Sequence, residues 1–392
     1  MNHRQISLLI LLFSVSLAAQ ETIPAQKKWK PELTATNFLL KFNGKLHMDY
    51  HYFFSDSESV EVHPDSGRDL NLSSADFKIS GFLWNFDFAF KLEFASGNPE
   101  IKDAYLGVSQ IPLIDNLRLG YFKEPFRISS LTGSDNLSFT DRPDMHRFSQ
   151  SRNSGIMIFN EFFNSRLAVQ TGYFLSGSGF ASKAFQHDGN SFTTRITGLP
   201  FLNQDQGFLH LGIAYSLRNP KSERHKISIS PGAPQIPGYL NFQSEEIRKM
   251  DLLNFESVFV HRSFYFQAEY LKAFIHQNSG TEKAVSFYGE GGFFLTGETR
   301  KYRNSYSGFQ KNIPATNFLE KNRGIGAWEL VFRYSATRFY PESPQVSQQE
   351  KINVGINWYV NPFSRFYFNF GRIYSKNNFQ INTAAIRLQV DF

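Results

Sequence analysis

Six cations crowd one stretch of this chain. Arg118, Lys123, Arg127, Arg142, Arg147 and Arg152 lie within "RLGYFKEPFRISSLTGSDNLSFTDRPDMHRFSQSR", and Arg333, Arg365 and Arg387 follow in strand-like segments nearer the C-terminus. Rings of Arg or Lys at a narrow gap favour anions. Between residues 125 and 155, Arg127, Arg142, Arg147 and Arg152 face Asp135, Asp141 and Asp144, a balance of +1. Selectivity there depends on which side chains point into the gap. The competing reading is structural: salt bridges to Asp141 or Asp144 would fix the segment in place. Other chemistries are poorly supplied. His47 and His51 share a face but stand four apart on a strand, about 13 Å, too far to chelate one ion. There is no cysteine, no Gly-x-Ser-x-Gly elbow and no His-Glu-x-x-His, so neither an enzyme nor a metal or other cofactor is expected. Lysines and arginines are scattered, which argues against nucleic acid as a partner.

The elements that must position these cations are strands. "LLKFNGKLHMDYHYFF" places Leu40, Phe42, Leu46, Met48, Tyr50, Tyr52 and Phe54 on one face and Lys41, Asn43, Lys45, His47, Asp49 and His51 on the other. That period of two means one greasy face and one wet face. It recurs cleanly in "NFDFAFKLEF", "AWELVFRYSA", "KINVGINWYV", "SRFYFNFG" and "AAIRLQVDF", and less regularly near 74–83, 100–109, 116–124, 154–163, 166–175, 191–201, 207–218, 250–261, 263–275 and 284–297. The total is sixteen segments. Phe alone supplies 43 residues and aromatics make 16% of the chain, yet mean hydropathy is negative and no segment after the N-terminus runs to the roughly 18 apolar residues of a spanning helix. Aromatic wealth on every second position, with charge opposite, predicts an all-β, transmembrane antiparallel β-barrel of about sixteen strands. "MNHRQISLLILLFSVSLAAQ" reads as a signal peptide over 1–20, with a periplasmic leader over 21–37 and the barrel over 38–392. Removing Arg4 with the signal takes the net charge from +6 to +5. Long polar stretches at 55–72, 219–248 and 298–322 alternate with short turns, as expected if long loops gather on one side.

Lys-Glu-Pro-Phe at 123–126 ends a good strand. About 25 residues without a period follow, yet they carry Phe126, Leu131, Leu137, Phe139, Met145 and Phe148. Such a segment is too apolar for disorder and too long for a plain turn. Strict alternation puts Arg118 inward and Lys123 with Tyr121, so either a bulge precedes Pro125 or Lys123 sits at the rim. The inward Lys41, Lys45 and Lys91 read as a solvated lumen wall diluted by Asp49, Asp87 and Glu93.

"EIKDAYLGVSQ", "LRLGYFKEPF", "SSLTGSDNLSFTDR" and "SRNSG" follow in order over 99–155, and in this block the chain resembles the phosphate-selective porin O/P family. The resemblance implies a sixteen-stranded outer-membrane porin, usually trimeric, whose loop folds into the lumen as a constriction; the terminal Phe392 fits an outer-membrane assembly signal. It further implies passive diffusion of small anions such as phosphate through a barrel set in outer-membrane lipid. The family's phosphate preference goes with closely spaced arginines, whereas this chain has 21 Arg and no Arg-x-Arg pair. A ladder would need single residues on neighbouring strands, for example Arg118, Arg166, Arg333, Arg365 and Arg387. The alternative is a barrel-borne surface binding protein, suggested by the long loops at 219–248 and 298–322.

Overall fold

The computed structural model describes residues 32–55, 66–149, 151–176, 189–203, 206–220, 224–229, 240–245, 247–306, 308–320, 324–340, 348–375 and 380–392. The expected signal peptide lies outside them, as does the leader up to residue 31.

Sixteen antiparallel strands close a barrel: β1 (Phe38–Ser55), β2 (Ser66–Leu83), β3 (Phe86–Glu93), β4 (Glu100–Ile111), β5 (Asp115–Lys123), β6 (Arg152–Phe162), β7 (Leu167–Ser176), β8 (Gly189–Asn203), β9 (Gly207–Pro220), β10 (Ile247–His261), β11 (Phe264–Gln277), β12 (Gly280–Phe294), β13 (Ala327–Tyr340), β14 (Gln348–Asn361), β15 (Ser364–Ser375) and β16 (Gln380–Asp391). Each of the sixteen segments read from the sequence is one of these strands. Closure is direct, since β1 pairs with β16 from Lys45↔Asp391 to Ser55↔Ile381. Residues 32–35, expected within the leader, form a short strand that pairs with 38–41 and lengthens the seam. Residues 66–72, expected in a loop, belong to β2.

The alternation sorts as its chemistry demands. Phe90, Leu119, Ile156, Phe259, Phe266, Phe332 and Phe368 stand exposed on the outer face, while Asp49, Arg195, Glu256, Glu269, Glu329 and Arg333 are buried on the inner one. The seam ends in a close fit. Phe392 N–H donates to the Gly44 carbonyl and Gly44 N–H to that of Phe392, both at 3.0 Å. The Phe392 ring lies over Gly44, where an added Cβ would stand 2.2 Å from the ring. Gly44→Leu is therefore expected to displace the Phe392 ring and weaken the seam, and the yield of folded, heat-modifiable barrel on a semi-native gel measures it. Wild-type yield would refute this account of the seam.

Two segments fill much of the interior, and they come from opposite rims. Residues 124–151 join β5 to β6 at the rim of the longer loops. Their Phe126, Ile128, Leu131, Phe139, Met145 and Phe148 are all at most 4% exposed, burial that stabilises docking by about 1.5–3 kcal/mol per side chain. Phe126, Met145 and Phe148 pack on inward residues that are themselves apolar, among them Leu252, Leu271, Ala273, Ile275 and Phe339, and Ile128 packs with Val258, Val260 and Tyr265. The second segment, 295–326, corrects an expectation. It joins β12 to β13 at the rim that carries the turns at 84–85, 262–263 and 362–363 and both strand termini, and it turns into the lumen rather than outward. Tyr306 OH donates to the Lys123 carbonyl at 2.6 Å, and Arg300 Nη2 to that of Asn136 at 2.9 Å. Gly308, at φ +69°, brings the backbone against Thr132 and Ile128.

Candidate functional site

The docked loop starts at a buried carboxylate. Glu124 is 1% exposed and accepts from Ser191 and Thr193, each at 3.1 Å, and from Asn153 and Arg218. Lys-Glu-Pro-Phe therefore ends the strand by driving its glutamate into the walls of β6, β8 and β9. A single helical turn follows, Ile128–Leu131. Its first amides donate to wall glutamates, Ile128 N to Glu256 at 2.8 Å and Ser129 N to Glu269 at 3.3 Å. Lys123 Nζ donates to the carbonyls of Ser130, Leu131 and Thr132 at 2.7, 3.0 and 3.2 Å. Anions at the N-terminus and a cation at the C-terminus satisfy backbone groups that a one-turn helix leaves open. The β5–β6 ladder runs to Lys123↔Arg152 without a register shift, so Lys123 is the last residue of its strand at the rim, not the product of a bulge in that pairing.

The nine cations singled out in the sequence divide by environment. Arg118 donates to Asp87 at 3.3 Å beneath the rings of Tyr105 and Tyr306. Arg127 is fully buried and donates to Ser149 Oγ at 2.9 Å and to the Met145 carbonyl. Arg333 grips Asp141 at 2.7 Å, with Lys351 on the other oxygen. Arg365 pairs with Glu329 at 3.1 Å between the rings of Tyr359 and Tyr367. Arg387 holds Asp49 through two bonds of 2.6 Å. These five are at most 8% exposed, and each of the four on the wall is paired with a carboxylate. Arg166 lies exposed in the turn before β7. The loop's salt bridge runs from Asp141 to the wall rather than to a neighbouring arginine of the loop. Although burial raises the Asp141 carboxyl, Arg333 and Lys351 hold it well below the usual carboxylate range.

The other four stay closer to solvent. Arg147 is exposed, and Lys123, Arg142 and Arg152 are half-buried. Arg142 donates to the carbonyls of Thr132, at 2.9 Å, and Ser129; Arg152 meets Asp103 at 2.9 Å. Burial, then Arg152 and Arg127, push the Arg142 guanidinium down to about 10, so it remains charged at neutral pH. On β1 to β3 stand the half-buried Lys45, Lys78 and Lys91, the last two within electrostatic reach of the Asp103 that Arg152 also meets. Lys45 and Lys91 share one carboxylate, Asp76, at 2.7 and 2.9 Å, and Lys45 reaches Ser134 of the loop at 2.6 Å. Exposed Arg303, carried in by the 295–326 segment, lies within electrostatic reach of Lys78.

Lys78 and Arg303 are not among the cations that the sequence singles out, and in the sequence Lys45 and Lys91 look diluted by acids. Lys78 had a usable signal: it alternates with Phe77 and Ile79. The dilution is smaller than it looked, because Asp49 and Asp87 are taken up by Arg387 and Arg118. Arg303 had no usable signal, since nothing in 298–322 marks a segment that enters the barrel.

Comparison with known proteins bears on what such a lumen does. The family described as phosphate-selective porin O and P matches residues 44–392. Porin O of Pseudomonas aeruginosa is 23% identical over 369 residues, covering 84% of this chain and 81% of that protein. Among solved structures, outer-membrane expressed OmpT of Vibrio cholerae superposes with a TM-score of 0.57 at 11% identity, covering 92% of this chain and all of its own. The outer membrane channel DcaP of Acinetobacter baumannii gives 0.56 at 9% identity, covering 93% and 100%. At such identities the two structures speak for the fold alone.

Proposed function

The chain belongs to the phosphate-selective porin O and P family and is an outer-membrane channel for passive diffusion; from that premise we propose that it favours small anions, phosphate among them. The observation that carries this is the gathering of Lys45, Lys78, Lys91, Arg303, Lys123, Arg142 and Arg152 in one neighbourhood of the lumen. Asp76, Glu93, Asp103 and Asp135 lie among them and are outnumbered. Cations clustered at a narrow aqueous passage raise local anion occupancy. Lysine suits transit, because its ammonium is a mobile point charge that binds without the rigid bidentate grip of arginine. A passing anion competes with Asp76 for two ammonium groups already drawn together. In this reading Arg118, Arg127, Arg333, Arg365 and Arg387 brace loop and wall, while Arg142, Arg147 and Arg152 face the solute. Diffusion down a gradient calls for no cofactor.

We also propose a homotrimer, the form in which in-vitro folded OmpT of Vibrio cholerae is described. Purified protein in a planar bilayer under a salt gradient tests the anion reading. The expected reversal potential has the sign of anion preference, and millimolar phosphate lowers the chloride current. Cation preference would sink the proposal.

A further inference from the structure

Three strands that rise from the turn rim repeat one local pattern. β11 carries Lys272-Ala273-Phe274, β13 Arg338-Phe339-Tyr340 and β15 Arg372-Ile373-Tyr374. The cations share the parity of Phe266, Phe332 and Phe368, which stand exposed on the outer face. Each lies over the aromatic ring two residues above it, at 5.1, 5.8 and 5.5 Å from the centroid. A ring in that place draws the charged head upward, away from hydrocarbon. Exposed Lys283 of β12, which pairs with Tyr340, adds a fourth cation.

Their height is that of a membrane surface. Counted from the turn rim, Lys272 and Arg372 lie 8 residues along their strands, and Arg338 and Lys283 lie 11. At about 3.3 Å per residue and a tilt near 40°, they stand about 20–28 Å up, at the outer edge of an apolar band of about 25 Å. The same heights on the far side of the barrel are apolar. Leu175 of β7 is 8 residues along and Phe192 of β8 is 11, and they are 55% and 42% exposed. Among the described residues, the acids on the cationic side at this level are Asp251, which Lys249 and His276 hold, and Glu350, which accepts from Tyr334 at 2.8 Å. Below the cations the outer face is grooved. Ala384 sits between Phe370 and Tyr52 of its neighbouring strands, and its small side chain leaves a depression of about 560 Å³ walled by Leu330, Ile356, Phe368 and Ile386. Arg372, two residues above Phe370, stands at the upper end.

We propose that the outer face of β11 to β16 binds a phosphorylated glycolipid of the outer leaflet. Its phosphates meet Lys272, Lys283, Arg338 and Arg372, and one acyl chain fills the groove over Ala384. The rim of the longer loops is the one that faces the cell exterior. Guanidinium and ammonium groups at the level of the headgroups are what lipid phosphate pairs with. Arg372 is two strands from Arg338, at least about 10 Å at the usual strand spacing. A headgroup with two phosphates on a sugar scaffold spans that interval, and a single phosphate does not. These side chains point away from the lumen, so the site is separate from the path of the permeating anion.

The test titrates delipidated full-length protein in detergent with diphosphoryl lipid A or with phosphatidylglycerol, and native mass spectrometry counts the lipid bound. Wild type should bind lipid A at least tenfold more tightly than phosphatidylglycerol, a comparison that needs no variant. The triple variant Lys272→Gln, Arg338→Gln, Arg372→Gln, its fold checked by heat-modifiability, should lose at least tenfold in lipid A affinity. Arg166→Gln with Arg262→Gln, both exposed at the opposite rim, should lose none. Ala384→Trp fills the groove and should weaken binding severalfold. Equal affinity of wild type for the two lipids overturns the proposal, as does wild-type lipid A binding by the triple variant or an equal loss in the opposite-rim control. Undiminished binding by Ala384→Trp overturns the place given to the acyl chain.

Discussion

Replacing Lys45, Lys78 and Lys91 together by glutamate turns the channel from anion-preferring to cation-preferring. The three ammonium groups stand on adjacent strands, Lys78 and Lys91 within electrostatic reach of the Asp103 that Arg152 also holds, and the substitution changes the local charge by six where charges interact over a Debye length of about 8 Å at physiological salt. Fixed charges inside such a distance are poorly screened and act on every permeating ion. The expected shift in the anion-to-cation permeability ratio is at least tenfold, read as a change in sign of the reversal potential. The barrel should still close, because the seam and the ladders of β1 to β3 do not depend on these side chains. A triple glutamine variant should fall between wild type and triple glutamate. If the glutamate variant keeps the wild-type reversal potential, selectivity resides elsewhere and the lysines are only a wet wall.

Glu124→Ala releases the constriction. Its carboxylate gathers Asn153, Ser191, Thr193 and Arg218 at the point where the loop leaves the wall. Removing one partner of a buried ion pair costs about 3–5 kcal/mol, because the other charge is left buried without compensation. That cost falls on docking rather than on the barrel, whose strands are held by continuous backbone ladders. The expected result is single-channel conductance severalfold above wild type, with frequent transitions between levels, and trypsin cleavage after Arg147 in a barrel that otherwise stays resistant. Glu124→Gln, which keeps an acceptor for Asn153 and a hydroxyl, should show a smaller change. Wild-type conductance and protease resistance in Glu124→Ala would show that the apolar contacts of Phe126, Met145 and Phe148 alone hold the loop.

The strands were legible and the lumen was not, for a physical reason. Alternation is local: Phe86, Phe88 and Phe90 announce their face because lipid selects every second residue, and no distant partner is needed to read it. The fate of an inward arginine is decided across the barrel. Arg333 looks like a pore cation until Asp141 is seen to meet it from 192 residues away. Arg387 likewise looks available until Asp49, 338 residues earlier, is seen beside it across the seam. The loop at 124–151 was recognisable because its apolar residues had no period yet needed burial. The segment at 295–326 was misplaced because its polar composition suits a solvated loop and a solvated lumen equally well. Its contacts through Arg300 and Tyr306 leave no periodic trace.

The anchorage of the constriction loop also sets an order of events in assembly. Its partners are widely separated along the chain: Ile128 waits for Glu256, Asp141 for Arg333, and the Asp135 carbonyl for Gln389, at separations of 128, 192 and 254 residues. Contacts of that range form only after the intervening strands are in place, and the last of them needs the final strand. The channel is thus built wide and narrowed late, so a barrel arrested before its C-terminal strand joins would be a leak rather than a filter.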